Sequence, residues 1–294
     1  MSSPIDALTQ TNLDDLVSAF GFQNRPALAR AARRLFHAPA HKFAQQILDF
    51  DSAIGVNGLV EAARRTERLY ARDVRVFGAD RIPGGPFLAL SNHPGLTDTL
   101  ALFGALGRAD LKIIALNRPF LISLPSISER LFYITDDSSA RVALVRQVST
   151  HLRNGGAALT FPAGHIEPDP DVYSGAIESL KDWTDSVGVF IRLAPDAAVL
   201  PVLVKNVIWK KTANHPLIKV KKTKDEREKL AAAFQLLAMV ALNIKPVTVT
   251  VQIGKPITVK DLGTTSTQAI HQAVLAEMKR LMENPPDGEG VSAL

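Results

Sequence analysis

The sequence predicts an α/β fold: a mostly parallel sheet covered by helices on both faces, preceded by a small N-terminal helical region. Three observations carry that expectation. From Phe87 onward, short apolar runs alternate with segments of helical periodicity, the pattern of successive strand–helix units. Those runs are nearly continuous in apolar residues, as strands buried on both faces are. Residues 1–78, by contrast, read as helices throughout most of their length.

Taken in order, Leu13, Leu16, Val17 and Phe20 recur at helical spacing and stop near Gly21. Pro26 opens a second helix running to Phe36, in which Arg30, Arg33 and Arg34 sit beside Leu28, Leu35 and Phe36. A basic amphipathic helix of this kind suits a membrane surface, and equally a helix packed on the main domain with its arginines in solvent. Residues 40–50 and 57–72 form two more helices, the second laced with Glu61, Arg64, Arg65, Glu67, Arg68 and Arg72. Gly78, Pro83, Gly84, Gly85 and Pro86 make the clearest break in the chain, with Val74 to Phe77 a candidate edge strand just before it. The expected organisation is therefore a helical region over 1–78 and an α/β domain over 79–294.

Within that domain, strands are expected near 87–91, 111–116, 131–135, 157–161, 199–204 and 247–253. A helix over 138–154 is bounded by Asp136, Asp137 and Ser138 before it and by Asn154, Gly155 and Gly156 after it, which are start and stop signals. Further helices are expected near 175–188, 224–243 and 265–283. The last residues, Asn284 to Gly290, rich in Pro and Gly, read as a frayed tail.

Composition narrows the chemistry. The chain has 294 residues, 46% of them hydrophobic, enough for one sizeable core with a smaller appendage. It has no cysteine, which excludes thiolate catalysis, a disulfide framework and a thiolate-ligated zinc. A net charge of +5 favours an anionic partner. There is no stretch of eighteen apolar residues and no charged-then-apolar amino end, so neither a spanning helix nor a signal peptide is expected. A cytoplasmic location follows, soluble or peripheral at the inner face of the membrane. The Gly-rich phosphate loop, the dinucleotide fingerprint, the Gly-x-Ser-x-Gly elbow and the His-Glu-x-x-His zinc motif are all missing.

The chemistry is expected between Phe87 and Asp98. An apolar strand there ends in Ser91-Asn92-His93-Pro94-Gly95, and an apolar helix begins about Thr97. That puts His93 at the carboxyl end of a strand, the edge where ligands bind in open α/β sheets. A neutral imidazole at such an edge can take a proton from a hydroxyl, while Asp98, about one turn into the helix, holds the other ring nitrogen. With no serine or cysteine in the pair, the substrate must bring the nucleophile. Taken alone, the pair also fits a plainer reading, in which Thr97 or Asp98 caps the helix and His93 is a turn residue.

The stretch Ser91-Asn92-His93-Pro94-Gly95-Leu96-Thr97-Asp98 resembles the first motif of the glycerolipid acyltransferase family, the glycerol-phosphate and lysophosphatidate acyltransferases. About seventy residues later, Leu159-Thr160-Phe161-Pro162-Ala163-Gly164-His165 falls where that family places Phe-Pro-Glu-Gly-Thr-Arg. Leu200-Pro201-Val202-Leu203-Val204 is similar to its final strand motif. The resemblance covers roughly residues 80–255. It implies transfer of a fatty acyl group from an acyl-CoA or acyl-carrier-protein thioester to a lipid hydroxyl, with His93 as general base and Asp98 as its orienting partner. It implies substrate contacts at Asn92, Gly95, Phe161, Pro162, Gly164 and His165, with no metal and no tightly bound cofactor.

The chain also departs from the family. Ala163 and Ile166 stand where an acidic and a basic side chain are usual, and that arginine helps hold the acceptor's phosphate in the family. Arg118, Arg141 or Arg146 are the candidates to supply the lost charge. His165 and Glu167, in Gly-His-Ile-Glu-Pro-Asp-Pro, read either as acceptor contacts or, for the acid, as a cap for the next helix. The Lys-rich stretch 205–224, with Ile208, Trp209, Leu217 and Ile218, reads as an anionic-membrane contact, a docking face for acyl-carrier protein or a solvated insertion. A nucleic-acid partner is not expected. An alternative to the enzyme is a catalytically silent relative that binds lipid or an acidic protein in the same groove.

Overall fold

In the computed structural model of the chain, eight strands form one sheet. They are β1 (Ala71–Phe77), β2 (Phe87–Ser91), β3 (Lys112–Leu116), β4 (Leu131–Ile134), β5 (Ala157–Thr160), β6 (Ala198–Lys205), β7 (Val247–Ile253) and β8 (Val291–Ser292), in the spatial order β4-β3-β5-β2-β6-β7-β1-β8. The structure describes every residue except Met1, Ser2, Leu96, Arg118, Thr135, Asp136 and Asp287, with only the backbone of Pro119, Phe120, Ser138 and Ser139. Five strand pairs are parallel; β6 with β7 and β1 with β8 are antiparallel.

β2 sits at the centre, between β5 and β6, and all five of its residues are buried. Its period of two divides the core. Phe87 and Ala89 join a cluster with Ala62, Leu102, Leu111, Leu159 and Leu200 on one face, while Leu88 and Leu90 join Val148, Leu152, Ile191, Val274 and Met278 on the other. Both faces are therefore covered by helices, as the continuous apolar runs require.

The first face carries α1 (Pro4–Phe20), α2 (Pro26–Asn57), α3 (Leu59–Glu67) and α4 (Asp98–Leu106). The second carries the helices Ser138–Arg153, Ser186–Leu193 and Thr267–Glu283. Helix Lys224–Leu242 packs across α1 and α2 through Ala233 and Leu237, against Leu13, Leu16 and Ala40.

Several sequence expectations need correction. The two helices expected over 26–36 and 40–50 are one 32-residue helix that runs straight through Pro39. The proline removes the amide that would bond to the Leu35 carbonyl. Leu35 is exposed, so solvent can satisfy that carbonyl, while Asn12 Nδ2 donates to Ala40 O at 3.1 Å on the packed side. The helix expected over 57–72 stops at Glu67, and β1 begins four residues later as a full member of the sheet, paired in parallel with β7. The helix expected over 175–188 is broken into Ala176–Ser179, a 3-10 turn at Leu180–Asp182, and Ser186–Leu193. Trp183 is the reason: its backbone is extended and its indole turns inward to a buried acid. The terminal residues are not frayed, since Val291 and Ser292 pair with β1 and close its open edge, and Ser292 Oγ donates to Asp73 at 2.6 Å.

Candidate active site

The site lies where β2 ends and α4 begins. Asn92, the first residue beyond the strand, turns its side chain inward and imitates a strand: Nδ2 donates to Val204 O and Oδ1 accepts from Val204 N, both at 2.8 Å. That pair extends the β2–β6 ladder by one step with a side chain and fixes where His93 leaves the sheet. Asn92 is buried and its amide is bonded to β6, which positions the loop.

Gly95 makes the return. Its φ of 91° is in the left-handed region, and a Cβ there would come within 3.2 Å of Ile166 Cδ1, so two constraints demand glycine. Its amide donates to Asp98 Oδ2 at 2.8 Å. Asp98 is 0% exposed, and its other oxygen accepts from Thr99 N at 2.6 Å and Thr99 Oγ1 at 3.1 Å. His93 Nδ1 completes the set at 2.7 Å from Oδ2. A carboxylate accepts only, so Nδ1 carries the hydrogen and Nε2 keeps its lone pair.

Burial disfavours the imidazolium, but the charge and hydrogen bond of Asp98, helped by the charge of Glu167, outweigh it and hold the His93 pKa above 6.5. The ring is 28% exposed and stacks on Phe161, with centroids 4.3 Å apart. Phe161 thus meets the histidine itself. Pro162, which follows it, is buried, and its carbonyl accepts from Thr184 N at 3.2 Å.

Glu167 is the residue the sequence misplaced. It does not cap a helix; it is buried, lies on the wall of the cleft over Pro94 and Gly95, and clasps the His93 loop. Glu167 N donates to His93 O at 2.8 Å, and His93 N donates back to Glu167 Oε2 at 3.1 Å. Oε1 accepts from Trp183 Nε1 at 2.8 Å and Ser179 Oγ at 3.2 Å. Burial pushes its carboxyl pKa up against the pull of those donors. Asp169, two residues on, accepts from Asn206 N, Val207 N and Ile208 N at 3.0, 2.8 and 2.9 Å, tying the same loop to the chain after β6.

Two spaces meet at this point. His93, Phe161, Gly164 and His165 lie on a cavity of about 680 Å³ whose walls are largely apolar, including Phe50, Leu100, Phe103, Ile113 and Leu124. Ligand cavities typically span roughly 300–1,000 Å³. A second cleft of about 850 Å³ runs over Pro94 and Gly95 between α1, α2 and the helix Lys224–Leu242. Its walls combine Leu16, Leu237 and Val240 with carboxylates at Asp15, Asp225, Glu226 and Glu228, against Lys221 and Lys229. Phe43, Ile166 and Leu236 line both spaces.

The remaining sequence candidates fare differently. Gly164 turns the loop, with φ 69° and its amide on Phe161 O at 3.0 Å. His165 is exposed at the cavity mouth, bonded through Nδ1 to Ala163 O at 2.8 Å and facing Asp182 at 3.7 Å. Arg141 and Arg146 are on the exposed face of Ser138–Arg153, and neither lines the two spaces. Arg118 lies outside the described residues. Glu67, read only as part of a charged helix, is buried behind Asp98. Its place was legible, since Leu59, Ala62, Ala63, Thr66, Glu67 and Tyr70 share the spacing of one helical face.

Glu167→Ala should lower stability by about 2–5 kcal/mol, because Trp183 Nε1 and His93 N are left buried without an acceptor. Glu167→Gln should lose roughly half as much, since the amide can serve only one of the two with its oxygen. Urea unfolding of the three proteins measures this; an alanine variant within about 0.5 kcal/mol of the parent shows that the clasp does not hold the loop.

No family model matches the chain, and no curated protein matches it. Among solved structures it is similar to the 1-acyl-sn-glycerophosphate (LPA) acyltransferase PlsC from Thermotoga maritima, with a TM-score of 0.45 and 19% sequence identity over 92% of this chain and 86% of that chain.

Proposed function

We propose that the protein is an O-acyltransferase that moves a fatty acyl group from an acyl-CoA or acyl-carrier-protein thioester to the hydroxyl of a lipid acceptor. One observation carries the reading: an imidazole whose Nδ1 is tied to a fully buried carboxylate and whose ring lines an apolar cavity of about 680 Å³. The family resemblance of residues 91–98 agrees with it. The acyl chain lies in the cavity, with the thioester carbonyl at its mouth. Nε2 of His93 takes the acceptor hydroxyl's proton as that oxygen attacks the carbonyl carbon. The tetrahedral intermediate collapses, the C–S bond breaks, and the imidazolium returns the proton to the leaving thiolate. Asp98 keeps the tautomer and steadies the transient charge.

The acceptor is a lyso-lipid whose remaining chain follows the second cleft, and its headgroup is not a phosphate monoester. Ile166, where the family's arginine is usual, is 46% exposed and offers no charge. The carboxylates along that cleft outnumber its two lysines. A lost charge-assisted hydrogen bond is worth roughly 1.5–3 kcal/mol.

The enzyme works at an anionic membrane surface, through fewer residues than the Lys-rich stretch first suggests. Ile208 and Ile218 are buried, Trp209 packs against the core, Lys205 faces Asp171 at 3.4 Å, and Lys224 donates to Ser174 O. What faces outward is Leu217, 59% exposed, and Val220, 77% exposed, beside Lys210, Lys211, Lys219 and Lys222. Among the described residues, no helix is long and apolar enough to cross a membrane.

His93→Ala should cut acyl transfer by about 10²–10⁴-fold, and Asp98→Asn should also be crippling, with both proteins folded by circular dichroism. The assay pairs acyl-CoA and acyl-carrier-protein donors with a panel of acceptors, products being identified by mass. Unchanged turnover by folded His93→Ala removes the mechanism. Folded parent protein that binds lipid and turns over no donor is the silent relative instead.

In the same panel, zwitterionic or neutral lyso-lipids should outrun lysophosphatidate and glycerol 3-phosphate. A phosphate monoester ahead by more than tenfold, about 1.4 kcal/mol, overturns the acceptor assignment.

Sedimentation with anionic vesicles should recover the protein in the pellet at low salt and release it as salt rises. Reversing Lys210, Lys219 and Lys222 to Glu should abolish recovery. Equal supernatant fractions with neutral and anionic vesicles at low salt exclude membrane docking.

A further inference from the structure

Glu67 ends α3, which packs on α4, the helix that Asp98 opens. It is 1% exposed, and among the described residues neither carboxyl oxygen has a hydrogen-bond partner. The groups that face it are few. From α4 and its approach come Asp98, fully buried, and the Thr97 hydroxyl, which is itself buried and does not reach hydrogen-bond geometry. From the following turn comes Tyr70, whose hydroxyl donates to Gln46 on α2 at 2.8 Å. Arg64, one turn earlier on the same helix, aims its guanidinium elsewhere, donating to Gly104 O at 3.1 Å. No cation is among the groups that shift Glu67.

Two buried carboxyls on packed helices that feel each other's charge resist ionising together, and donors favour the charge on the one they reach. Asp98 accepts from Gly95 N, Thr99 N, Thr99 Oγ1 and His93 Nδ1; Glu67 accepts from nothing. The charge belongs on Asp98 and the proton on Glu67.

We propose that Glu67 is a positioning residue for His93: a carboxylic acid that keeps its proton behind Asp98, leaves Asp98 the single anion on that side, and disables the pair when it ionises. A second negative charge there would repel Asp98 from the hydrogen bonds that orient the imidazole, and would hold the imidazolium proton that the reaction must release. Burial, with the charge of Asp98 beside it, pushes the Glu67 pKa from 4.5 to about 8, which puts the change within reach of a mild alkaline shift. The consequence for acyl transfer rests on the proposed function; the coupling of the two carboxyls to His93 does not.

Nitrogen NMR of the imidazole of His93, followed from pH 5 to pH 10, tests the coupling without any substrate. The parent protein should show two steps, the second near pH 8, and Glu67→Gln, which keeps the shape and cannot ionise, should show only the first. A single step in the parent, or a second step that persists in Glu67→Gln, overturns the proposal. Thermal unfolding supplies an independent readout. A raised folded pKa gives stability that is complete below pH 4.5 and is lost as pH rises through about 8, so the parent's Tm should fall relative to Glu67→Gln across that range. A Tm difference that does not change with pH overturns the proposal as well. If acyl transfer is found, its alkaline limb, about tenfold per pH unit above 8, should be missing in Glu67→Gln. If no donor is turned over while the two-step titration is seen, the proposed function fails and the positioning role of Glu67 stands.

Discussion

A carboxylate with no exposure to water must be supplied with donors, and the supply to Asp98 dictates the local fold. Two of its donors are backbone amides, at Gly95 and Thr99, so the chain has to turn sharply at Gly95 and enter a helix at Asp98 itself. The turn requires a left-handed residue, which glycine supplies at little steric cost. The remaining donors are the Thr99 hydroxyl and the imidazole. Strand end, turn and helix start are thus fixed by one anion, and a different loop would leave that anion uncompensated by several kcal/mol.

The loop is held from its other side as well. Asn92 continues the ladder between β2 and β6 with its amide, and Glu167 exchanges backbone and side-chain bonds with His93. Because β2 is the central strand, the histidine's backbone is anchored to β6 on one side and to the loop after β5 on the other. The ring itself is left comparatively free, stacked on Phe161 and tied only at Nδ1. Rigidity in the backbone with access at Nε2 is what general-base chemistry needs.

Much of this was legible in the sequence, and the parts that were not share a cause. The six strands expected from Phe87 onward were legible because apolar runs buried on both faces carry a strong local signal, and the meeting of His93 with Asp98 because a strand end and a helix start bracket them. Helix continuity through Pro39 was not legible, since it depends on packing of Ala40 and Asn12 against neighbours far along the chain. The break at Trp183 depends on a buried acid sixteen residues earlier. Lysines 205 and 224 look like part of a basic surface until the partners supplied by Asp171 and Ser174 are known. Glu67 is the exception, because helical spacing alone put it on the buried face. Its charge, which normally marks a solvent-facing residue, obscured that position.

Asp98, Glu167 and Glu67 differ in the donors that reach them. Asp98 has four donors, and Glu167 accepts from Trp183, Ser179 and the amide of His93. Glu67 has none, and it is the one whose pKa rises furthest, to about 8. Identical burial would make three anions intolerable; graded donation lets one remain charged against the ring, one serve as a clasp and one stay neutral. The imidazole's own proton affinity is the resultant: burial lowers it, and the charges of Asp98 and Glu167 raise it above the ordinary histidine value. None of the three carboxyls is among the described residues that wall the apolar cavity, so the imidazole is the ionisable link between that cavity and the carboxylate that orients it.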